Sequence, residues 1–171
     1  MEDRFRRLVA SLTGAGVRFV LIGVAGANYY ATSGAEVFTT RDRDLFVPPD
    51  PDATLRAWRS CEDAGLTLWC AAEPLDTPRD RQLAEAVIGR CATVRATDRE
   101  GLAVDLTYVM AGFDFETVWA SRREFVVEGI AIPVARLRQI IESKARLGRD
   151  KDRLFLAAHA DALEQLFPRD D

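Results

Sequence analysis

The chain has 171 residues, 48% apolar and 29% charged, enough to bury a core without disulfide or metal staples and too apolar for wholesale disorder. Its 27 acids against 23 bases leave a formal charge of −4, the opposite of the balance of a protein that binds nucleic acid mainly through phosphates, although a local basic groove stays open. The longest apolar stretch, Phe19 to Ala27, is about nine residues, where a membrane span needs roughly 20.

Phe5, Leu8, Val9 and Leu12 recur at helical spacing, and Gly14 and Gly16 stop that helix. Val17 to Ile22 reads as a buried strand broken at Gly23, and Val24 to Ala31 as a short helix packed closely through Ala25, Gly26 and Ala27. A second strand runs from Thr39 to Val47 and ends at Pro48-Pro49. Asp52 is placed to cap a helix from Ala53 to Ala64, Leu66 to Cys70 follows as a strand, and Thr77-Pro78 opens a helix to about Ile88. Cys91–Ala96 and Leu102–Met110 predict an antiparallel hairpin across Asp98-Arg99-Glu100-Gly101. Ala111 to Ala120 is loop and short helix, and Phe125–Val127 pairs with Ile130–Ile132 around Glu128-Gly129. Pro133 sits at the opening of a helix from Val134 to Leu147, Gly148 breaks it, and a last helix covers about Asp150 to Phe167. The pattern predicts an α+β fold with an α/β-like core, a short mixed sheet flanked by helices. It reads as one domain, with a core at 17–133 and a helical part at 134–167.

Asp42 and Asp44 form the sharpest chemical feature. Strand alternation puts both on one face about 6.6 Å apart at Cα, with Thr40 and Phe46, while Arg41 and Arg43 point the other way. A third acid, Asp105, interrupts the apolar run from Leu102 to Val109, opposite in face to Val104, Leu106 and Tyr108. A carboxylate there is costly to bury unless it is hydrogen-bonded or bound to a cation. Three neighbouring acids repel, and Mg²⁺, which prefers oxygen ligands, removes that repulsion. Two Mg²⁺ ions would stabilise both the attacking and the leaving oxygen of phosphoryl transfer. The same acids also suit surface ion pairs with nearby arginines, and both readings stay open at this point.

Gly23 lets the backbone turn tightly and present N–H groups to an anion, but no dinucleotide fingerprint or phosphate-loop signature follows it, and a plain strand-to-helix turn is the alternative. From Arg136 to Arg153, seven basic residues stand against Glu142, Asp150 and Asp152. The segment holds the only two lysines of the chain, Lys144 and Lys151. At 100° per residue Lys144 lies about 20° from Leu137, inside the apolar stripe, so its ammonium either reaches an acid or a phosphate or snorkels to water. Arg149 and Lys151 flank the helix break, where both could grip one anion. Met1-Glu2-Asp3-Arg4 lacks the start of a signal peptide, so a cytoplasmic protein is expected, with Cys61, Cys70 and Cys91 as reduced thiols. His159, the only histidine, reads as half-buried packing in the last helix and supports neither a zinc cluster nor a Ser-His-Asp arrangement.

Four segments together resemble the polymerase-beta-like nucleotidyltransferase superfamily. They are Phe19-Val-Leu-Ile-Gly23-Val-Ala-Gly-Ala-Asn28, Thr40-Arg-Asp42-Arg-Asp44-Leu-Phe-Val, Val104-Asp105-Leu106, and the stretch from Pro133 to Asp152. The last resembles the branch that contains abortive-infection-type toxins and related small bacterial nucleotidyltransferase-like proteins. The resemblance implies a nucleotidyltransferase fold in which Asp42, Asp44 and Asp105 hold Mg²⁺, and Asp105 also activates an acceptor hydroxyl. It places the Gly23 turn and Thr40 beside the nucleotide, with Lys144, Arg149 and Lys151 at the triphosphate or acceptor. The implied reaction transfers a nucleoside monophosphate from an NTP such as ATP to a hydroxyl of tRNA, a protein or a small molecule. A catalytically degraded binding protein, such as a toxin–antitoxin component with an antitoxin-like protein partner, is the alternative. No membrane partner is expected. Two positions depart from the family pattern: Val24 follows Gly23 where Gly or Ser is usual, and Phe38 stands where many relatives carry arginine.

Overall fold

The computed structural model of the chain describes residues 2–31 and 38–170. Helix α1 (Glu2–Gly14) turns Phe5, Leu8, Val9 and Leu12 inward and is followed by Gly16 at φ 69°. Strand β1 is shorter than the pattern predicts, Val20–Ile22, and leads straight into α2 (Gly23–Asn28). A Cβ on Gly26 would lie 3.0 Å from the Leu21 carbonyl oxygen and 3.1 Å from Ile140 Cδ1, so glycine is what lets α2 sit this close to its neighbours. Strand β2 (Asp42–Phe46) carries the Asp pair.

Two helix starts differ from expectation, each set by the aspartate just before the helix, whose side chain accepts a first-turn N–H. Asp50, not Asp52, caps α3 (Pro51–Asp63), accepting the Ala53 N–H at 2.6 Å, and Pro51 occupies the first turn, where it gives up no bonded N–H. Asp80, not Thr77-Pro78, starts α4 (Arg81–Gly89) by accepting the Leu83 N–H at 2.9 Å. Between them lie β3 (Thr67–Cys70) and a two-residue β4 (Glu73–Pro74) that no hydrophobic pattern announces. The predicted hairpins form as β5 (Val94–Thr97) with β6 (Ala103–Thr107), and β7 (Arg123–Val127) with β8 (Ile130–Val134), with α5 (Phe115–Ser121) between them.

Pro133 lies inside β8 rather than at a helix opening. The neighbouring Ala135 N–H donates to the Leu21 carbonyl of β1, so the missing N–H of Pro133 falls on the β1 side and cuts that ladder to the Leu21–Val134 pair. Helix α6 (Leu137–Leu147) therefore starts later than expected and ends at Gly148, φ 59°. The predicted last helix is divided at His159, φ −117° and ψ 15°, into α7 (Asp150–Ala158) and α8 (Ala160–Leu166).

Among the described residues, eight strands form one mixed sheet in the order β4-β3-β5-β6-β2-β1-β8-β7, with β2–β6 and β1–β8 parallel and the other pairs antiparallel. Helices α1 and α3 take one face, where Arg43 lies 5.0 Å from the Phe5 ring and Thr54 Oγ1 meets the Tyr108 hydroxyl at 2.9 Å. Leu45, Val104 and Leu106 are fully buried on that face, each worth about 1.5–3 kcal/mol. Helices α2 and α6 pack together over part of the other face, where Asp42 and Asp44 lie.

Asn28 fixes the entry to β2: its Nδ2 donates to the Phe38 carbonyl at 2.8 Å, and the Phe38 N–H donates to its Oδ1 at 2.7 Å. Asn28→Ala removes both bonds and should cost about 1–3 kcal/mol. Asn28→Asp keeps the acceptor and should fall between, as read by the midpoint of urea unfolding.

Candidate active site

The floor of the site is one rung of the sheet. The parallel β2–β6 register sets Asp44 directly opposite Asp105, the antiparallel partners add Ile22 beside Asp44, and Arg95 on β5 faces Asp105. Like charges so placed in a sheet destabilise it. Arg95 relieves two of the three acids. Its Nε and Nη2 donate to the two oxygens of Asp105 at 2.8 Å each, and Nη2 lies 3.3 Å from Asp42 Oδ2. This planar, two-pronged pairing is the strongest form of an arginine–carboxylate contact.

Asp44 has no hydrogen-bond or ion-pair partner among the described residues. Burial above all, and then the charge of Asp105, push its carboxyl up to about 6 against the opposing pull of Lys144. Its place depends on Gly23, whose φ of 68° disfavours a side chain and whose Cβ would collide with Asp44 Oδ2. The glycine thus matters here as the gap that admits a carboxylate to the turn.

The opposite wall comes from α6 and α7. Leu137 and Ile140 are buried as the helical stripe predicts, and Lys144 rises among them with its side chain 13% exposed. Its Nζ meets Asp152 Oδ1 at 3.2 Å and lies 5.0 Å from the centre of the Phe155 ring. Arg149 donates to the same carboxylate through Nε at 2.6 Å and Nη2 at 3.3 Å. Burial of Asp152, 1% exposed, raises its pKa, but hydrogen bonds from Arg149 and Lys144 outweigh burial and hold the carboxyl below its usual value. Lys151, one residue earlier, is exposed at the mouth.

Gly23, Thr40, Asp42, Asp44, Asp105, Lys144, Arg149 and Lys151 line one cleft of about 530 Å³. Sequence reasoning missed Arg95 as a member, because a four-residue turn at 98–101 would pair Thr97 with Leu102 and set Arg95 against Val104. Five residues, 98–102, separate Thr97 from its partner Ala103, and that register brings Arg95 to Asp105. The sequence reading also took Asp152 only as a charge, although its i+8 offset from Lys144 spans the helix break and Arg149 lies three residues before it. Of the two family departures, Val24 lines the cleft, while Phe38 is 1% exposed and packs on Phe155 and His159 at 5.3 and 4.9 Å between ring centres.

Among the described residues no three His, Cys, Asp or Glu side chains gather closely enough to cage a metal ion. The donor set still fits Mg²⁺, which is commonly held by one or two carboxylates and completes its shell with water and substrate phosphates. Asp44 and the neighbouring Asp42 supply such a pair of oxygen donors, and the unpartnered, partly desolvated Asp44 is the group that would gain most from a cation.

With its carboxyl raised from an ordinary value near 3.8, Asp44 binds a proton in the folded chain at pH values where the unfolded chain has lost it. Stability therefore falls as pH rises from about 4 to about 6, and the ionised group is a burden above that window. In EDTA at pH 8, Asp44→Asn should stabilise the protein by on the order of 1–2 kcal/mol, less than the full two-unit shift because the group is partly solvated. The gain should shrink towards zero at pH 4, as read by urea unfolding at both values.

No protein-family model and no curated protein sequence matches the chain. In structure it is similar to the antibiotic-resistance factor ANT(2'')-Ia, an aminoglycoside nucleotidyltransferase solved in solution. The TM-score is 0.51 with 14% sequence identity, over 99% of this chain and 92% of the other. The likeness establishes the architecture: a mixed α+β protein with the nucleotidyltransferase fold.

Proposed function

We propose that the protein transfers a nucleoside monophosphate from an NTP to an acceptor hydroxyl, with release of pyrophosphate. The observation that carries this reading is the division of charge across one cleft. Asp42, Asp44 and Asp105 form the floor, and Lys144, Arg149 and Lys151 stand on the facing wall. Its volume of about 530 Å³ lies in the range of pockets that hold small ligands. The fold shared with an aminoglycoside nucleotidyltransferase supports the same reaction class.

Bound Mg²⁺, held by Asp42 and Asp44, would offset negative charge on phosphate oxygens and favour deprotonation of the acceptor. Lys144 and Arg149, fixed by Asp152, and the exposed Lys151 are placed to meet the phosphates and to offset charge growing on the leaving pyrophosphate. Thr40 and the Gly23 turn border the same space, and Asp105, oriented by Arg95, would activate the acceptor hydroxyl. The acceptor belongs to one of three classes: a tRNA end, a protein side chain or a small molecule. One domain over residues 1–171 suits this reading, because the apolar core is continuous from Phe5 to Leu166. A cytoplasmic setting suits it too: all three cysteines are free thiols, and among the described residues no helix is long and apolar enough to cross a membrane.

A second reading is favoured by the Arg95 fork on Asp105: a relative that binds nucleotide without turnover, paired with an antitoxin-like protein. The two separate in one assay. Purified protein with Mg²⁺ and an α-labelled NTP should move label to one acceptor class and release pyrophosphate. Asp44→Asn should lower that rate by about 10²–10³-fold with unchanged circular dichroism, and Lys144→Ala should chiefly raise KM for the NTP. Nucleotide binding with no transfer to any of the three classes selects the second reading. Absence of Mg²⁺-dependent NTP binding removes both.

A further inference from the structure

Three carboxylates and one guanidinium share the floor of the cleft, and the guanidinium is not distributed evenly. Arg95 spends Nε and Nη2 on both oxygens of Asp105 and reaches Asp42 Oδ2 with the same Nη2. The space between Asp42 and Asp105 is therefore filled by N–H groups, which only donate and which repel a metal ion. The Arg95 and Asp42 side chains are 43% and 48% exposed, and the anchored part of the contact is the hold on Asp105. The Cα atoms of Arg95 and Asp105 are direct partners in the β5–β6 ladder, Asp105 is only 15% exposed, and a guanidinium cannot leave by losing its proton. On the far side of Asp105 from Arg95, Asp44 is left with no partner among the described residues, two residues along β2 from Asp42.

We propose that Arg95 is the resident second cation of this site, so that the cleft takes one divalent ion, on Asp42 and Asp44, and not two. Arg95 positions Asp105 and supplies the positive charge that a second ion would bring there. Its Nη1 group has no partner among the described residues and remains available to a phosphate oxygen. The inference rests on the nucleotidyl-transfer reading and fixes the metal count of that same cleft.

The test counts Mn²⁺ ions bound per chain, by electron paramagnetic resonance of free Mn²⁺, on the full chain saturated with a non-hydrolysable NTP analogue. Wild type should bind one ion. Arg95→Ala should bind a second, at least ten times more tightly than any further ion on wild type, and Arg95→Lys should stay at one. Arg95→Gln, similar in length and neutral, serves as a second variant should Arg95→Ala fail to fold, with the same second ion expected. Two ions on wild type would show that Arg95 gives way and overturn the inference while leaving nucleotidyl transfer standing. One ion on every folded variant would overturn it too, since removing the guanidinium would then open no site. If wild type binds neither Mn²⁺ nor the analogue, the transfer reading itself fails along with it.

Discussion

The constraint on which the rest depends is the parallel pairing of β2 with β6, which seats Asp44 across from Asp105 with no residue between them. Two carboxylates on one rung of adjacent strands in a half-buried sheet face repel, and the surrounding residues answer that repulsion in different ways. Arg95 comes from the next strand to hold one acid, and Gly23 withholds a side chain so that the other fits against the turn. Lys144 adds a favourable field from across the cleft without touching either. What stays uncompensated is Asp44, and a fold that leaves one acid in this state accepts lower stability at a place where a cation can act.

The cationic wall shows the complementary arrangement. Lys144 and Arg149 come from opposite sides of the Gly148 break, and each binds the buried Asp152. A buried carboxylate with two cations is fully satisfied, whereas the loss of any member would strand a charge. The triad therefore clamps α6 to α7 while its two cations line the cleft. One set of contacts serves packing and ligand approach together, so stability and binding are coupled through Asp152.

Much of this was legible in the chain itself, for identifiable reasons. Period-two alternation around Asp42 and Asp44, and the apolar run broken by Asp105, put the acids on one face because strand geometry leaves no other choice. Helical periodicity placed Lys144 in the apolar stripe for the same kind of reason. The helix starts at Asp50 and Asp80 were less legible, since several acids and prolines competed for each cap and only tertiary packing decides among them. Pro133 misled because proline is tolerated both at a helix opening and in a strand whose N–H is not needed. Arg95 escaped notice because arginine on a strand looks solvent-bound until the hairpin register is counted. The β4 edge carried no signal, being only two exposed residues, Glu73 and Pro74, too short to show an alternation.

The shortened β1–β8 ladder sets the mechanics of the cleft. Leu21 pairs with Val134 and accepts the Ala135 N–H, while the Tyr30 hydroxyl donates to the Ala135 carbonyl at 2.8 Å. One residue past Leu21 in the chain, β1 ends at Ile22 and the Gly23 turn begins; two residues past Ala135, α6 begins. The floor and the wall are thus riveted together at their roots, and the gap between Asp44 and Lys144 behaves as a fixed jaw. Beyond Gly148 the bridge from Lys144 to Asp152 carries the same frame into α7, so Arg149 and Lys151 stand on a rim tied to that jaw.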